Sequence, residues 1–214
     1  MANHRVKRDP VSSPSRKRRP YRLGARAERQ AQTRRRIAQA AVELHSSIGP
    51  LRTTIRAIAE RAGVERLTVY RHFPDERALY GVCSSHFLKD HPLPDLAGTM
   101  AAARPAARVE AVLRELYGYY RRTEPTLTAV LRDATAVPLV AEYVADNLAM
   151  LRALADALAG GQPDAPDRRL LRAAIGHAIA FGTWRSLAID EGLTDADAAK
   201  MMARLAQGSQ TGTP

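Results

Sequence analysis

Residues 54–74, which read TIRAIAERAGVERLTVYRHFP, decide the fold. In residues 55–62, apolar side chains recur at the i, i+3, i+4 and i+7 spacing of a buried helix face. Gly63 breaks that helix, and a second helical stretch over residues 65–73 follows after one short turn. Pro74 ends it, because the residue before a proline is disfavoured in the α region. Two short helices joined by a tight, Gly-containing turn form a helix-turn-helix, although other αα-corners have the same spacing.

The remainder of the chain predicts helices and no strands. Alanine is very frequent and β-branched residues are scarce, and no Asn-Gly or Asp-Gly hairpin turn is present. One helix is expected to begin near residues 28–33 and to end at Gly49, and Thr53 or Thr54 suits the N-cap of the next. Later helices are expected at residues 75–89, 109–120, 125–133, 140–158, 166–190 and 194–205. The chain is therefore predicted to be all-α.

The net charge of +11 is concentrated at the N-terminus. Residues 1–36 hold 13 Lys and Arg residues against two acids, whereas residues 37–214 are neutral overall. Residues 1–29 combine basic residues with Ser and Pro and lack an apolar period, so we expect a disordered basic arm. Such an arm is either a solvated tail or a binding segment for an anionic partner, nucleic acid first and an acidic membrane surface second.

Composition and motifs exclude several classes of protein. The single cysteine, Cys83, rules out an internal disulfide and a multi-thiolate metal site within one chain. We expect no secretory signal peptide and no membrane span, and therefore a cytoplasmic protein. No GxSxG, HExxH, Walker A or GxGxxG motif is present, and the six histidines lack zinc-ligand spacing. We predict no catalytic residue, no metal and no cofactor, and an inert, buried Cys83 rather than a redox switch.

The second helix of the motif has a face suited to the major groove of DNA. On a helical wheel, Val69 and Phe73 point inward. The outward and flanking side chains are Arg66, Leu67, Thr68, Tyr70, Arg71 and His72. Outward residues would meet base edges, and the flanking tyrosine hydroxyl and histidine ring would meet phosphates. A solvated helix face with a half-buried tyrosine would show the same pattern.

Residues 54–74, the helix before them and residues 77–80, RALY, resemble the DNA-binding segment of TetR-family transcriptional regulators. The resemblance rests on Ile-Ala-x-x-Ala-Gly-Val at residues 58–64 and on Tyr-x-His-Phe-Pro at residues 70–74. In the C-terminal half, only residues 177–193 are similar, in a general way, to the last helices of many members.

This resemblance implies a bacterial, cytoplasmic and nucleoid-associated homodimer. It would bind a pseudo-palindromic operator in double-stranded DNA, usually as a repressor that a small-molecule effector releases. The residues implied to lie at the DNA are Thr54, Arg66, Leu67, Thr68, Tyr70 and His72, with Tyr70 and His72 on phosphates. The expected segments are a basic disordered arm at 1–29, a three-helix helix-turn-helix domain at 30–80, a larger helical domain for regulation and dimerisation at 81–207, and a flexible tail at 208–214.

The sequence departs from the family pattern at Glu76. Most members carry a lysine there, which meets a phosphate, whereas a glutamate would repel it. We expect the basic arm and three arginines before the motif, Arg34, Arg35 and Arg36, to compensate. Leu67 is also bulky for a position that is often small in the family, and it would suit contact with a thymine methyl group.

Two sets of residues in the C-terminal half are candidates for further sites. Small and apolar residues indicate a dimer interface built as a four-helix bundle, with an ordinary core as the alternative; they are Ala173, Gly176, Ala180, Trp184, Met201, Met202 and Leu205. Aromatic and soft residues would line a ligand pocket, with ordinary core packing as the more common explanation for each of them; they are Tyr117, Tyr120, Met150, His177 and Phe181.

Two other functions are compatible with the sequence. The first is an architectural DNA-binding protein of low sequence specificity that has no effector. The second is an enzyme or helical interaction module that uses the basic arm on anionic membranes. The ratio of operator to random-DNA affinity separates the regulator from the architectural protein, and retention on anionic lipid without DNA binding would indicate the second.

Overall fold

The computed structural model describes residues 19–161 and 167–208, with side chains from residue 24 onward. The described residues form ten α-helices and no strand, which confirms the all-α prediction. The helices are α1 Arg19–Ser47, α2 Ile55–Ala62, α3 Arg66–His72, α4 Glu76–Asp90, α5 Leu96–Ala102, α6 Arg108–Asp133, α7 Pro138–Gly160, α8 Arg168–Ala178, α9 Phe181–Arg185 and α10 Asp195–Gly208. Short 3-10 turns lie at Pro50–Arg52 and Pro105–Ala107, and a π-helical turn, Ser186–Asp190, follows α9. The chain divides into two compact units, residues 1–36 and 37–214.

The first helix begins earlier than the sequence pattern predicts. It starts at Arg19, and its side chains from residue 24 to Arg36 are almost all exposed. Arg, Ala, Gln and Glu have high helix propensities, so this segment forms a helix without the apolar face on which the prediction relied. The expectation of disorder is wrong for residues 19–29. The rest of the predicted arm, residues 1–18, and residues 209–214 of the predicted tail lie outside the described residues.

Helix α6 continues through Pro125, where the sequence predicts the start of a separate short helix. A proline inside a helix removes one backbone hydrogen bond and costs about 3 kcal/mol. The buried face of α6 runs on both sides of the proline, from Val109 and Leu113 to Ala129 and Asp133. Burial of this face offsets the cost, so the helix remains continuous.

The predicted helix over residues 166–190 is interrupted. Helix α8 ends at Ala178, and the backbone of Ala180 is extended (φ −70°, ψ 137°) before α9 begins. The break leaves two buried carbonyls without helical partners. The hydroxyls of Tyr117 and Tyr120 on α6 donate to the carbonyls of Ala178 and Ile179, at 2.7 Å each. These two tyrosines therefore stabilise the break, and burial raises the pKa of both hydroxyls.

Two clusters of buried residues form the interior of residues 37–214. One contains side chains from α1 to α4, including Ile37, Ile58, Val69 and Phe73. The other contains side chains from α6 to α10, centred on Trp184, whose Nε1 donates to an Asp195 oxygen at 2.9 Å. These two clusters correspond to the predicted N-terminal and C-terminal groups of helices, while the exact predicted segment boundaries remain a prediction.

A buried carboxylate joins the loop after α1 to the end of α6. Asp133 is 3% exposed, and its Oδ2 accepts a hydrogen bond from the Leu51 amide at 3.0 Å. Arg132 donates to Asp133 at 2.7 Å and to the carbonyl of Ile48 at 3.1 Å. The hydrogen bond from Arg132 lowers the pKa of Asp133 below its ordinary value. The loop is therefore held to α6 by an ionised side chain.

Gly49 is required inside this junction. Its φ is +90°, a backbone conformation that residues with a Cβ rarely adopt. A Cβ at this position would also collide with the side chains of Arg132 and Asp133. The junction therefore accepts only glycine without rearrangement.

We predict that Asp133→Ala lowers the free energy of unfolding by about 1–3 kcal/mol, because it leaves the Leu51 amide and the Arg132 guanidinium without their acceptor. Urea unfolding followed by circular dichroism measures this change. The control is Glu110→Ala, which removes an exposed i, i+4 ion pair with Arg114 on the same helix and should change stability by less than about 0.5 kcal/mol. Equal effects of the two substitutions would contradict the role given to Asp133.

Candidate nucleic-acid interface and internal cavity

The turn between α2 and α3 has the geometry of a helix-turn-helix. The Thr54 hydroxyl caps α2 by accepting from the Ala57 amide at 3.1 Å. Gly63 ends α2 in the left-handed region (φ 63°), and the amide of Val64 returns to the Ala59 carbonyl at 3.0 Å. This 6→1 hydrogen bond satisfies a carbonyl at the helix end and turns the chain into α3.

Helix α3 is held from one side. Val69 is 0% exposed and Phe73 is 2% exposed, and both lie in the cluster with side chains of α1, α2 and α4. A helix of seven residues is not stable alone in water, so these two contacts fix its position. The helical-wheel prediction of the inward direction is consistent with this packing.

The opposite face of α3 is open to solvent. Leu67 is 59% exposed and Tyr70 is 46% exposed, and Arg66 and Arg71 are exposed beside them. The two remaining predicted contact residues, Thr68 and His72, are half-buried. The structure thus brings the six predicted residues of α3 to one surface segment. Arginine offers a fork of donors for guanine, leucine an apolar contact for thymine, and tyrosine a hydroxyl for phosphate.

Thr54 lies at the start of α2 and is exposed. Its hydroxyl oxygen is used as an acceptor in the helix cap, which leaves the hydroxyl proton available as a donor. A threonine at this position can therefore cap its own helix and donate to a phosphate at the same time.

The three predicted arginines before the motif, Arg34, Arg35 and Arg36, are exposed on α1. They belong to residues 1–36, the other compact unit of the chain. Their charge is consistent with a phosphate-binding role, and that role remains a prediction.

The start of α4 is acidic. Asp75 caps the helix by accepting from the Ala78 amide at 2.7 Å, and exposed Glu76 follows it. Arg77 forms an ion pair with Glu142 of α7 at 2.8 Å. A helix start normally attracts anions, but two carboxylates lie here and the adjacent arginine already has a partner. The weak phosphate contact expected at Glu76 remains a prediction.

A cavity of about 840 Å³ lies among the helices of residues 37–214, and apolar side chains form most of its wall. Three of the five predicted pocket residues line it: Tyr120, Met150 and Phe181. Tyr117 does not, because it is fully buried and its hydroxyl bonds to Ala178. His177 does not line it either, because it lies on the exposed side of α8.

Sequence reasoning missed the end of the cavity that is nearest to α1. His45, predicted as a core residue, lines the cavity together with Tyr80, Cys83 and Tyr143. Their spacing along each helix is that of ordinary core residues, so no sequence signal distinguishes cavity wall from core. Burial raises the pKa of the Cys83 thiol to about 12, which favours the inert role over the redox role.

The predicted dimer face is not one surface. Trp184 is 0% exposed and Met202 is 7% exposed, so both pack in the core of their own chain and are wrong as interface residues. Ala173, Gly176 and Ala180 line the cavity, and the break at Ala180 separates them from Trp184. Met201 and Leu205 remain at the surface of α10, and Leu205 is 59% exposed.

Within residues 19–161 and 167–208, no group of three or more His, Cys, Asp or Glu side chains could hold a metal ion. No helix described there is both long and apolar enough to cross a bilayer.

Comparisons with known proteins agree with the geometry. Residues 37–82 match the family model of the bacterial regulatory proteins of the tetR family. The fold is similar to that of a TetR-like transcriptional regulator from Rhodococcus sp. RHA1, with a TM-score of 0.64 and 19% identity over 85% of this chain and 97% of that one. It is also similar to NalD of Pseudomonas aeruginosa, the secondary repressor of the MexAB-OprM multidrug efflux pump (TM-score 0.59, 21% identity, 84% and 96% covered). A TetR-family regulator from Streptomyces coelicolor gives a TM-score of 0.58 and 19% identity over 84% of this chain and 80% of that one.

A comparison with curated protein sequences finds no match. The similarity to TetR-family regulators therefore rests on residues 37–82, which contain the helix-turn-helix and which we call the head, and on the fold. Residues 37–82 thus match the DNA-binding segment of the tetR family of bacterial regulatory proteins, and the fold of most of the chain is similar to that of solved TetR-family regulators.

Proposed function

We propose that the protein is a homodimeric repressor that binds a pseudo-palindromic operator and is released by a small-molecule effector. The observation that carries this proposal is the exposed outer face of α3, held in place by the burial of Val69 and Phe73. The similarity in fold to NalD, which is a repressor, supports repression as the outcome of DNA binding. The cavity within residues 37–214 supports an effector site, since pockets of several hundred Å³ with mainly apolar walls suit small molecules.

Each residue of the head has a distinct proposed role. Arg66, Leu67 and Thr68 read base edges, because they lie at the N-terminal end of α3, where recognition helices commonly contact bases. Tyr70 and His72 bind phosphates on either side of the groove, and Thr54 donates to a phosphate from the start of α2. Arg71 lies on the outward face with the base-reading residues.

Binding to a specific DNA sequence requires two copies of the chain, because α3 is short. One seven-residue helix buries too little surface for a specific site, whereas two heads read two half-sites. The proposed interface contains side chains that lie at the surface of α8 and α10: Leu170 and His177 on α8, and Leu205 and the partly exposed Met201 on α10. Burial of two leucines that are about half-exposed in the single chain would favour association.

The architectural alternative draws on one observation, the concentration of the whole net charge in residues 1–36. A protein that binds DNA through this charge alone would show little preference for any sequence. Selection from a random DNA library decides between the two functions. Enrichment of a two-fold symmetric site supports the repressor, and no enrichment supports the architectural protein.

We predict that Arg66→Ala weakens binding to the selected operator by about 1–3 kcal/mol and changes affinity for random DNA little, because a base contact carries sequence information. Tyr70→Phe should weaken binding to both DNAs to a similar extent, because a phosphate contact carries no sequence information. Fluorescence anisotropy with labelled duplexes measures both affinities. Arg104→Ala, at an exposed arginine between α5 and α6, is the control and should change neither. If Arg66→Ala weakens operator and random DNA equally, the assignment of Arg66 to a base edge is wrong.

We predict that Glu76→Lys tightens operator binding about two- to fivefold at 0.1 M salt and steepens the salt dependence by about 0.9, the value for one added phosphate contact. The reason is the replacement of a repelling carboxylate by a cation at the start of α4. Glu191→Lys makes the same change of charge in the connection before α10 and serves as the control. No tightening, or the same tightening in the control, would contradict a phosphate near residue 76.

A further inference from the structure

Three aromatic side chains from three helices meet at one end of the cavity. His45 comes from α1, Tyr80 from α4 and Tyr143 from α7, and all three line the cavity. The ring centroids of His45 and Tyr80 are 5.5 Å apart, and those of Tyr80 and Tyr143 are 4.8 Å apart. We call this group the head-side cluster, because α1 and α4 also form the buried cluster that holds α3.

The head-side cluster contains polar groups that make no hydrogen bond within the described part of the chain. Within the described part of the chain, the His45 ring and the hydroxyls of Tyr80 and Tyr143 make no hydrogen bond to another residue. The hydroxyls of Tyr117 and Tyr120, by contrast, are both bound to backbone carbonyls. Polar groups in a largely apolar cavity are normally satisfied by a partner. Three free groups on rings that contact one another therefore indicate where the polar part of a ligand would bind, in contrast to the single hydroxyl of Tyr119 elsewhere on the wall.

This end of the cavity carries no formal charge near neutral pH. Burial lowers the pKa of His45 to about 4, so its ring is neutral. Burial likewise raises the pKa of Tyr80 to about 12, so its hydroxyl keeps its proton. The charged side chains on the cavity wall, Asp146, Arg152 and Arg172, are all exposed to solvent. Arg77 and Glu142, near Tyr143, do not line the cavity and are exposed and paired with each other. A carboxylate or an ammonium group placed at the head-side cluster would therefore be desolvated without an unpaired opposite charge on the cavity wall.

We propose that the head-side cluster is a binding subsite for the hydroxyl or carbonyl group of an uncharged, mainly apolar ligand. The imidazole accepts or donates one hydrogen bond and the two phenol hydroxyls supply the others, while the apolar body of the ligand fills the remainder of the 840 Å³ cavity. A ligand seated in this way contacts α1 and α4 directly, and both helices contribute side chains to the buried cluster that contains Val69 and Phe73. The proposal rests on the proposed effector site and specifies its chemistry.

Competition with a fluorescent dye tests this chemistry. Nile red is uncharged and fluoresces more strongly in apolar surroundings, so its signal reports occupation of the cavity. The competitors share one octylphenyl body: 4-octylphenol, octylbenzene and 4-octylbenzoate. We expect 4-octylphenol to displace Nile red at a concentration about three- to tenfold lower than octylbenzene, which is the gain from one or two neutral hydrogen bonds. The anionic 4-octylbenzoate should be the weakest competitor.

Two substitutions remove hydrogen-bonding groups and keep an aromatic ring at each position. His45→Phe and Tyr143→Phe should each reduce the advantage of 4-octylphenol over octylbenzene about threefold and leave octylbenzene itself unchanged. Tyr119→Phe, at another cavity-lining tyrosine, is the matched control and should keep the full advantage. Circular dichroism confirms that each variant is folded.

A measurement on the unaltered protein keeps the proposal testable if a variant fails to fold. The imidazole C2–H resonance of His45 should shift when 4-octylphenol is added, and that of His177, which does not line the cavity, should stay in place. Three results would each overturn the subsite without contradicting the effector cavity. They are equal displacement of Nile red by all three competitors, loss of the advantage of 4-octylphenol in Tyr119→Phe alone, and a His45 resonance that does not shift. If Nile red does not bind and none of the competitors raises the Tm, the effector cavity fails and the subsite fails with it.

Discussion

The position of α3 depends on the burial of Val69 and Phe73. The helix has seven residues and is not stable in isolation, so these two side chains determine which of its faces is exposed. The turn at Gly63 fixes the angle at which the chain leaves α2, because the left-handed conformation there directs the Val64 amide back to Ala59. The exposed arginines, leucine and tyrosine are a consequence of this packing.

The helix-turn-helix is in turn attached to the long helices through polar side-chain contacts. Asp133 binds the amide of Leu51 in the loop that leads to α2, and Arg77 of α4 pairs with Glu142 of α7. A further hydrogen bond joins Thr126 of α6 to Ser46 of α1 at 2.8 Å. The cavity lies among the same helices, and His45 and Tyr80 extend its wall to α1 and α4. A ligand in the cavity would therefore touch the elements that position α3, which is the physical basis of the proposed release from DNA.

The sequence predicts the head well because its signals are local. Apolar periodicity, a threonine cap, a glycine at the turn and a terminating proline all act within a few residues, and each is observed at or near its expected place. The break at Ala180 is different, because the carbonyls it exposes are satisfied by Tyr117 and Tyr120, which lie about sixty positions earlier in the chain. No local pattern carries that information.

For the candidate sites too, the sequence predicts what depends on one helix and does not predict what depends on packing between helices. The exposure of Arg66 or Tyr70 follows from their place on one helix, so the wheel predicts it. Whether Tyr120 or His45 borders a cavity depends on how several helices pack, and the spacing of core and cavity residues is identical. The helical start at Arg19 was missed for another reason: high helix propensity without an apolar face gives no periodic signal.

We propose that α3 determines which DNA sequence is bound, whereas residues 1–36 supply most of the affinity that does not depend on sequence. Residues 37–80 hold six arginines and five acids, so the reading head is nearly neutral, while residues 1–36 hold the entire net charge. The most direct test is the salt dependence of operator and random-DNA binding for a chain that lacks residues 2–29. We predict that the slope of log affinity against log salt flattens by several units, at about 0.9 for each lost phosphate contact, while the preference for operator over random DNA persists. An unchanged slope, or a lost preference, would contradict it.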